Sequence, residues 1–366
     1  MTKFKINKKI FYLIVIIVLE TIIVKILQYI VLPPKYFFDS GAILTHSIDG
    51  NFNADKSYNF TAKFFYLINI FNFTTLKEWS YFLASIFTII ICIVIGKNKK
   101  IVLRDEIYIL ASVGLLNIYV FNISKDIIQF FFFFIIFLIL KMNKLSNNKK
   151  LIISCIILLL EALFFRVYYA IMAMIMMTIY FVYKKIITKE KLNKKGVFKV
   201  IMIILVLFFA EVFIVQKISP ENYNSIINAR YSVNIYRENS TDAATIITDL
   251  LGKNTNFLKF VLNYIINLIR MLVPIELVLK GIKYIPFIIY QIYIEYILYK
   301  NCRKLTEKNI LWFIVSLSYI MVSVIFEPDF GSFIRHESTM FLIYLELSKN
   351  LMSENYEKNN DIRNIQ

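Results

Sequence analysis

The densest reactive chemistry in this chain falls in eleven consecutive residues, Glu327-Pro328-Asp329-Phe330-Gly331-Ser332-Phe333-Ile334-Arg335-His336-Glu337. Three acids, an arginine and a histidine share a stretch too short to scatter them, and Gly331 permits close backbone approach there. Smaller polar groups stand elsewhere at the ends of apolar blocks: Asp39, the pair Lys125-Asp126, Arg166, and Arg230 and Arg237 in a long polar segment. Guanidinium groups pair bidentately with phosphate oxygens and stabilise negative charge growing on a departing phosphate. A hydroxyl that attacks the carbon losing that phosphate needs a base, which Asp39, Asp329 or His336 could supply. The chemistry these types support is sugar transfer from a phosphate-activated donor. Arg335, with Asp39, Asp329 and His336, forms the expected catalytic set; Lys125, Asp126, Arg166, Arg230, Arg237, Glu327 and Glu337 form the expected binding set. No Gly-rich phosphate loop is present, which fits a donor carried by lipid rather than by a nucleotide.

Each position also has a plainer reading. Asp39 follows a helix end and could simply be solvated, Lys125-Asp126 could be a polar turn, and Arg166 could anchor to lipid phosphate. Arg230 and Arg237 could be solvated loop residues.

The elements that must position these residues are apolar helices. Hydrophobic residues make up 58% of the 366 and occur in unbroken blocks; the mean hydropathy is +0.64. A span needs about 20 mostly apolar residues, and lipid leaves a helix as the way to satisfy the backbone. The blocks predict an all-α, polytopic bundle of about ten spans. They run near 10–32, 81–95, 106–121, 127–140, 151–165, 168–183, 200–215, 284–299, 310–326 and 340–351. Lys-rich segments at 97–100, 141–150, 184–199 and 300–308 mark the cytoplasmic side. Both termini then fall in the cytoplasm of a cell bounded by an inner membrane. The external segments are about 33–80, with interfacial helices, a long loop at about 216–283, and about 327–339. An apolar stretch with Arg270 and Pro274 inside the long loop lies along the interface or re-enters the bilayer. The whole chain reads as one integral membrane domain. This sidedness places every reactive cluster on the external face.

The net charge of +17 would suggest nucleic acid in a soluble chain. Here the lysines cluster between apolar blocks and set topology, so no nucleic-acid partner is expected. Cys92, Cys155 and Cys302 form no disulfide or metal pattern, and two histidines do not make a zinc site. No cofactor is expected; a divalent metal has only the weak E-x-D of Glu327-Pro328-Asp329 in its favour.

The layout resembles bacterial exopolysaccharide and O-antigen polymerases of the Wzy and EpsG type, and more loosely the membrane glycosyltransferases of the C-type fold. Asp39 in Phe38-Asp39-Ser40 stands where such proteins carry an acid in the first external loop. Ser124-Lys125-Asp126 resembles their Lys-Asp or Lys-Glu after an early external turn. Phe165-Arg166-Val167-Tyr168-Tyr169 resembles their arginine followed by aromatics, and Gly331–Glu337 their polar, Arg-containing loop before the last span. The resemblance implies a polyprenyl-diphosphate-linked glycan as substrate, with membrane lipids and other polysaccharide-assembly proteins as partners. It has no D-x-D in the first external loop to match a metal-dependent relative. The rival class is a flippase of lipid-linked glycans, motivated by Glu20, Lys25, Glu161, Glu211 and Glu295 inside spans. A membrane acyltransferase would use a mid-span histidine, and neither His46 nor His336 sits there.

Overall fold

The computed structural model describes residues 7–53, 55–98, 101–186, 194–238 and 245–351. Their regular structure is helical, joined by turns and short coil segments, and besides it the described residues hold one isolated bridge between Ile246 and Asp329. Three helices, Lys8–Val31, Leu76–Gly96 and Phe198–Ile218, are long and apolar enough to cross a membrane. The chain is an all-helical membrane protein. Its described residues sort into two compact units: 1–135 with 163–166 and 335–341, and 136–162 with 167–334 and 342–366.

In the first unit, helix Lys8–Val31 packs on Leu76–Gly96 and Leu103–Leu115. Its buried stripe is Ile10, Leu13, Ile17, Thr21, Lys25 and Gln28, a spacing of three and four that keeps one face inward. In the second half of the helix the polarity is inverted relative to a soluble helix. Thr21, Lys25 and Gln28 point in, while Leu19, Ile22, Ile23, Ile26 and Ile30 are exposed, as a lipid-facing surface requires. Leu76–Gly96 begins at a reciprocal cap: the Thr75 hydroxyl accepts from Glu78 N, and the Glu78 carboxylate accepts from Thr75 N at 2.8 Å.

Lys25 explains a departure from the expected third span. The α-helix there ends at Leu115 and continues as a π-helical turn over Leu116–Val120, which leaves carbonyls without their usual partners. The Lys25 ammonium donates to Asn117 O at 2.5 Å and Phe121 O at 2.9 Å, and reaches Ser80 Oγ, Gln28 Oε1 and Asn122 Oδ1. A cation at the negative end of a helix is favourable, more so when buried. Lys25 thus ties the first helix to this turn. Lys25→Met should lower the thermal midpoint of the purified protein and its yield in membranes. The cost is about 1–3 kcal/mol for each acceptor left unpaired. An unchanged midpoint would contradict this role.

The segment after the first helix holds two short helices, Phe38–Asp49 and Lys56–Ile68. Gly50, with φ 62°, ends the first of them in the left-handed conformation that glycine adopts without penalty. Helix Lys125–Lys141 follows the bend at 121–124.

In the second unit, Tyr169–Ile186 packs on Ile310–Phe326, and nearly all of Ile310–Phe326 is buried. The segment expected as a long external loop folds into helices Pro220–Ile227, Ala229–Glu238, Phe257–Leu272 and Ile275–Lys280. Asparagines stitch it together. Asn254 Nδ2 donates to Ile227 O, Asn263 Nδ2 to Gly252 O, and Asn234 Nδ2 to Ile247 O, so these amides substitute for backbone partners. Helix Phe257–Leu272 buries Asn263, Tyr264 and Asn267 and exposes Leu258, Leu262, Ile265 and Ile269.

Candidate functional site

Within the first unit the fold gathers one charged cluster from three distant stretches of chain. Helix Lys125–Lys141 supplies Asp126 in its first turn, one residue ahead of the apolar run that begins at Ile127, and Gln129 three residues on. This spacing sets the two side chains on one face. Arg166 comes from the break after helix Asn147–Phe164. Arg335 and His336 come from the last turn of helix Phe330–Ser338.

Asp126 is the hub. Its Oδ1 accepts from Arg166 Nη2 at 2.5 Å and lies 3.0 Å from His336 Nε2, and its Oδ2 lies 3.1 Å from Arg335 Nε. Burial pushes the carboxyl up, but the charges of Arg335, His336 and Arg166 outweigh it and hold the group well below the ordinary carboxylate range. Gln129 closes the second layer: its Oε1 accepts from Arg166 Nη1, while Nε2 donates to His336 O at 3.1 Å and Thr339 Oγ1 at 2.9 Å.

His336 Nε2 faces donors and an acceptor together, since Arg166 Nη2 and Arg335 Nη2 each stand 3.2 Å away. With a proton on Nε2 it donates to Asp126; without one it accepts from the guanidiniums. The two arginines differ in exposure. The Arg166 side chain is 11% exposed and that of Arg335 31%. Arg335 is therefore the arginine of the pair that reaches outward.

A second group gathers around Tyr58. Asp39 is exposed, and its Oδ1 accepts from the Tyr58 hydroxyl at 2.6 Å. The Lys125 ammonium sits 3.8 Å from the centre of the Tyr58 ring. The charge of Arg335 acts on Tyr58, Tyr119 and Lys125. Burial and the charge of Arg166 draw the Lys125 ammonium below its usual value, against the pull of Asp39 and Asp126.

The structure thus brings Asp126, Arg166, Arg335 and His336 into direct contact, with Asp39 and Lys125 joined through Tyr58. Glu337 is fully buried in the first unit. The other expected residues belong to the second unit. Asp329 caps helix Phe330–Ser338, its Oδ1 accepting from Ser332 N at 2.7 Å and from Thr245 Oγ1 at 3.3 Å. A side chain at Gly331 would meet both Asp329 and Thr245. Glu327 is buried at the end of helix Ile310–Phe326. Arg230, expected in a polar loop, is 2% exposed; it donates to Val324 O and to Met271 Sδ. Burial draws its guanidinium down to about 10. Arg237 lies in helix Ala229–Glu238 with its side chain outside the described residues. Among the described residues no group of three or more His, Cys, Asp or Glu is placed to hold a metal ion.

Gln129 and Tyr58 were not expected. Gln129 opens an aromatic run, Phe130 to Phe134, where a lone amide at helical spacing from Asp126 was the available signal.

No protein-family model matches the chain, and no curated protein or solved structure matches it. The fold and the site define an all-helical membrane protein with a charged, arginine-rich cluster.

Proposed function

We propose that this chain is a membrane glycosyltransferase that polymerises polyprenyl-diphosphate-linked oligosaccharide units. Its site faces the exterior of the cytoplasmic membrane, with both termini inside, and it serves exopolysaccharide, capsule or O-antigen synthesis. The observation that carries the reading is the pair of guanidiniums on Asp126, one anchored and one partly open. Arg335 is exposed enough to meet a diphosphate, while Asp126 orients it and Gln129 and Arg166 hold Asp126 and His336 in place. Such preorganised charge acts on the leaving group as its bond breaks. Asp39 takes the proton of the acceptor hydroxyl. The Lys-rich segments that alternate with the reactive ones support the external placement.

The rival reading, a flippase, loses Lys25, whose ammonium is enclosed by five oxygens of its own unit. Glu211 is held by Thr178, and Glu295 accepts from Gln291 at 3.4 Å. Cells lacking this chain should accumulate single lipid-linked repeats on the outer leaflet. These would be detected by labelling intact cells with an impermeant sugar-reactive probe. Accumulation on the inner leaflet would instead favour the flippase.

A further inference from the structure

We propose that Tyr58 is a positioning residue for glycosyl transfer: its hydroxyl fixes one oxygen of Asp39, so that the other oxygen receives the proton of the acceptor sugar hydroxyl. The inference rests on the function proposed above and deepens it. Asp39 alone would be a poorly oriented base, because it is exposed near the start of a short helix. Tyr58 comes from a separate helix and occupies Oδ1 at 2.6 Å, which leaves Oδ2 for an incoming hydroxyl. The Lys125 ammonium against the ring, 3.8 Å from its centre, restrains the phenol from swinging away.

The phenol itself is not the base. Burial and the Asp39 carboxylate push its ionisation well above the ordinary tyrosine range, although Arg335 opposes them. It therefore stays a donor at neutral pH. The charge of Arg335 reaches both Tyr58 and Lys125, the two side chains joined to Asp39 by the hydrogen bond and the ring contact. The acceptor oxygen forms a bond to the anomeric carbon. The bond from that carbon to the phosphate oxygen breaks, and its electron pair departs on the polyprenyl diphosphate. The acceptor proton ends on Asp39 Oδ2.

The test compares Tyr58→Phe, Asp39→Asn and the double variant in the full-length protein. Turnover is measured in membranes supplied with lipid-linked repeats from cells lacking the chain. Binding is measured with a polyprenyl diphosphate in detergent micelles. Tyr58→Phe keeps the ring and its lysine contact. It should slow turnover by about 10- to 100-fold, as misplacement of a reacting group does, and leave polyprenyl-diphosphate binding unchanged. The double variant should be no slower than Asp39→Asn, because Tyr58 acts through Asp39. Wild-type turnover in Tyr58→Phe, a multiplicative loss in the double variant, or failure of Tyr58→Phe to reach the membrane would each overturn the proposal. Unchanged polyprenyl-diphosphate binding and polymer formation in Arg335→Ala would overturn the underlying function instead.

Discussion

Asp126→Ala is expected to abolish polymer formation and to destabilise the protein. The carboxylate is met by Arg166, Arg335 and His336, and it is 5% exposed. Removing it leaves two guanidiniums facing each other without their shared counter-charge. Deleting one partner of a buried ion pair costs about 3–5 kcal/mol, and here the deleted partner serves several. Thermal unfolding of detergent-purified protein should show a clear drop in midpoint, and limited proteolysis should open the segments around 125 and 335. Asp126→Asn keeps the shape and one acceptor oxygen, so it should lose activity with a smaller drop in midpoint. The pH dependence follows from the same group. Its folded value lies well below the ordinary 3.8, so the stability it contributes is complete above that value and is lost as pH falls through the folded one. Between pH 8 and pH 5 this contribution stays flat, and its loss appears only in strong acid. In Asp126→Asn that acid-dependent part should vanish. An Asp126→Ala protein with wild-type midpoint and activity would exclude the hub role.

The helices were legible in the sequence because lipid allows few other solutions. The apolar run near 81–95 became Leu76–Gly96, and that near 127–140 became Lys125–Lys141; the extra residues are polar caps and first turns that hydropathy does not see. Most of the candidate cluster was also legible: charge stands out against apolar blocks, and Arg166, Asp126, Arg335 and His336 were each visible alone. Their convergence was not, because Gln129 and His336 lie 207 residues apart and nothing local encodes such a pairing. Lys25 shows the opposite failure. A lysine inside a span suggested a transport path, but its partners are three side-chain oxygens and two carbonyls in and just after a π-helical turn that no hydrophobic pattern reveals. Arg230 looked solvated because its neighbours in sequence are polar, yet the asparagine-stitched segment buries it.

The second large effect expected is a contrast between the two arginines. Arg166→Ala and Arg335→Ala both remove one guanidinium from Asp126, yet they should fail differently. Arg166 is bonded to Asp126 and Gln129 and stands beside His336, and little of it reaches solvent. Its loss should lower both thermal midpoint and activity, and Arg166→Lys should rescue little, because one ammonium cannot span the carboxylate and the amide as a planar guanidinium does. Arg335 meets Asp126 through Nε and is the more exposed of the two. Arg335→Ala should leave insertion and yield near wild type and lower the midpoint less than Arg166→Ala, because water can replace a partly exposed guanidinium, while reducing polymer formation by about 100- to 1,000-fold, the range for losing one preorganised donor to a developing anion. Polymer length on gels, protein level in membranes and the unfolding midpoint together separate the two cases. If both variants lost stability equally, Arg335 would be a structural member of the cluster. If Arg335→Ala made polymer of normal length and amount, the diphosphate would have to be bound elsewhere. Arg335 must therefore lose far more activity than its loss of stability explains for the cluster to act on a substrate, since a purely structural cluster would tie the two losses together.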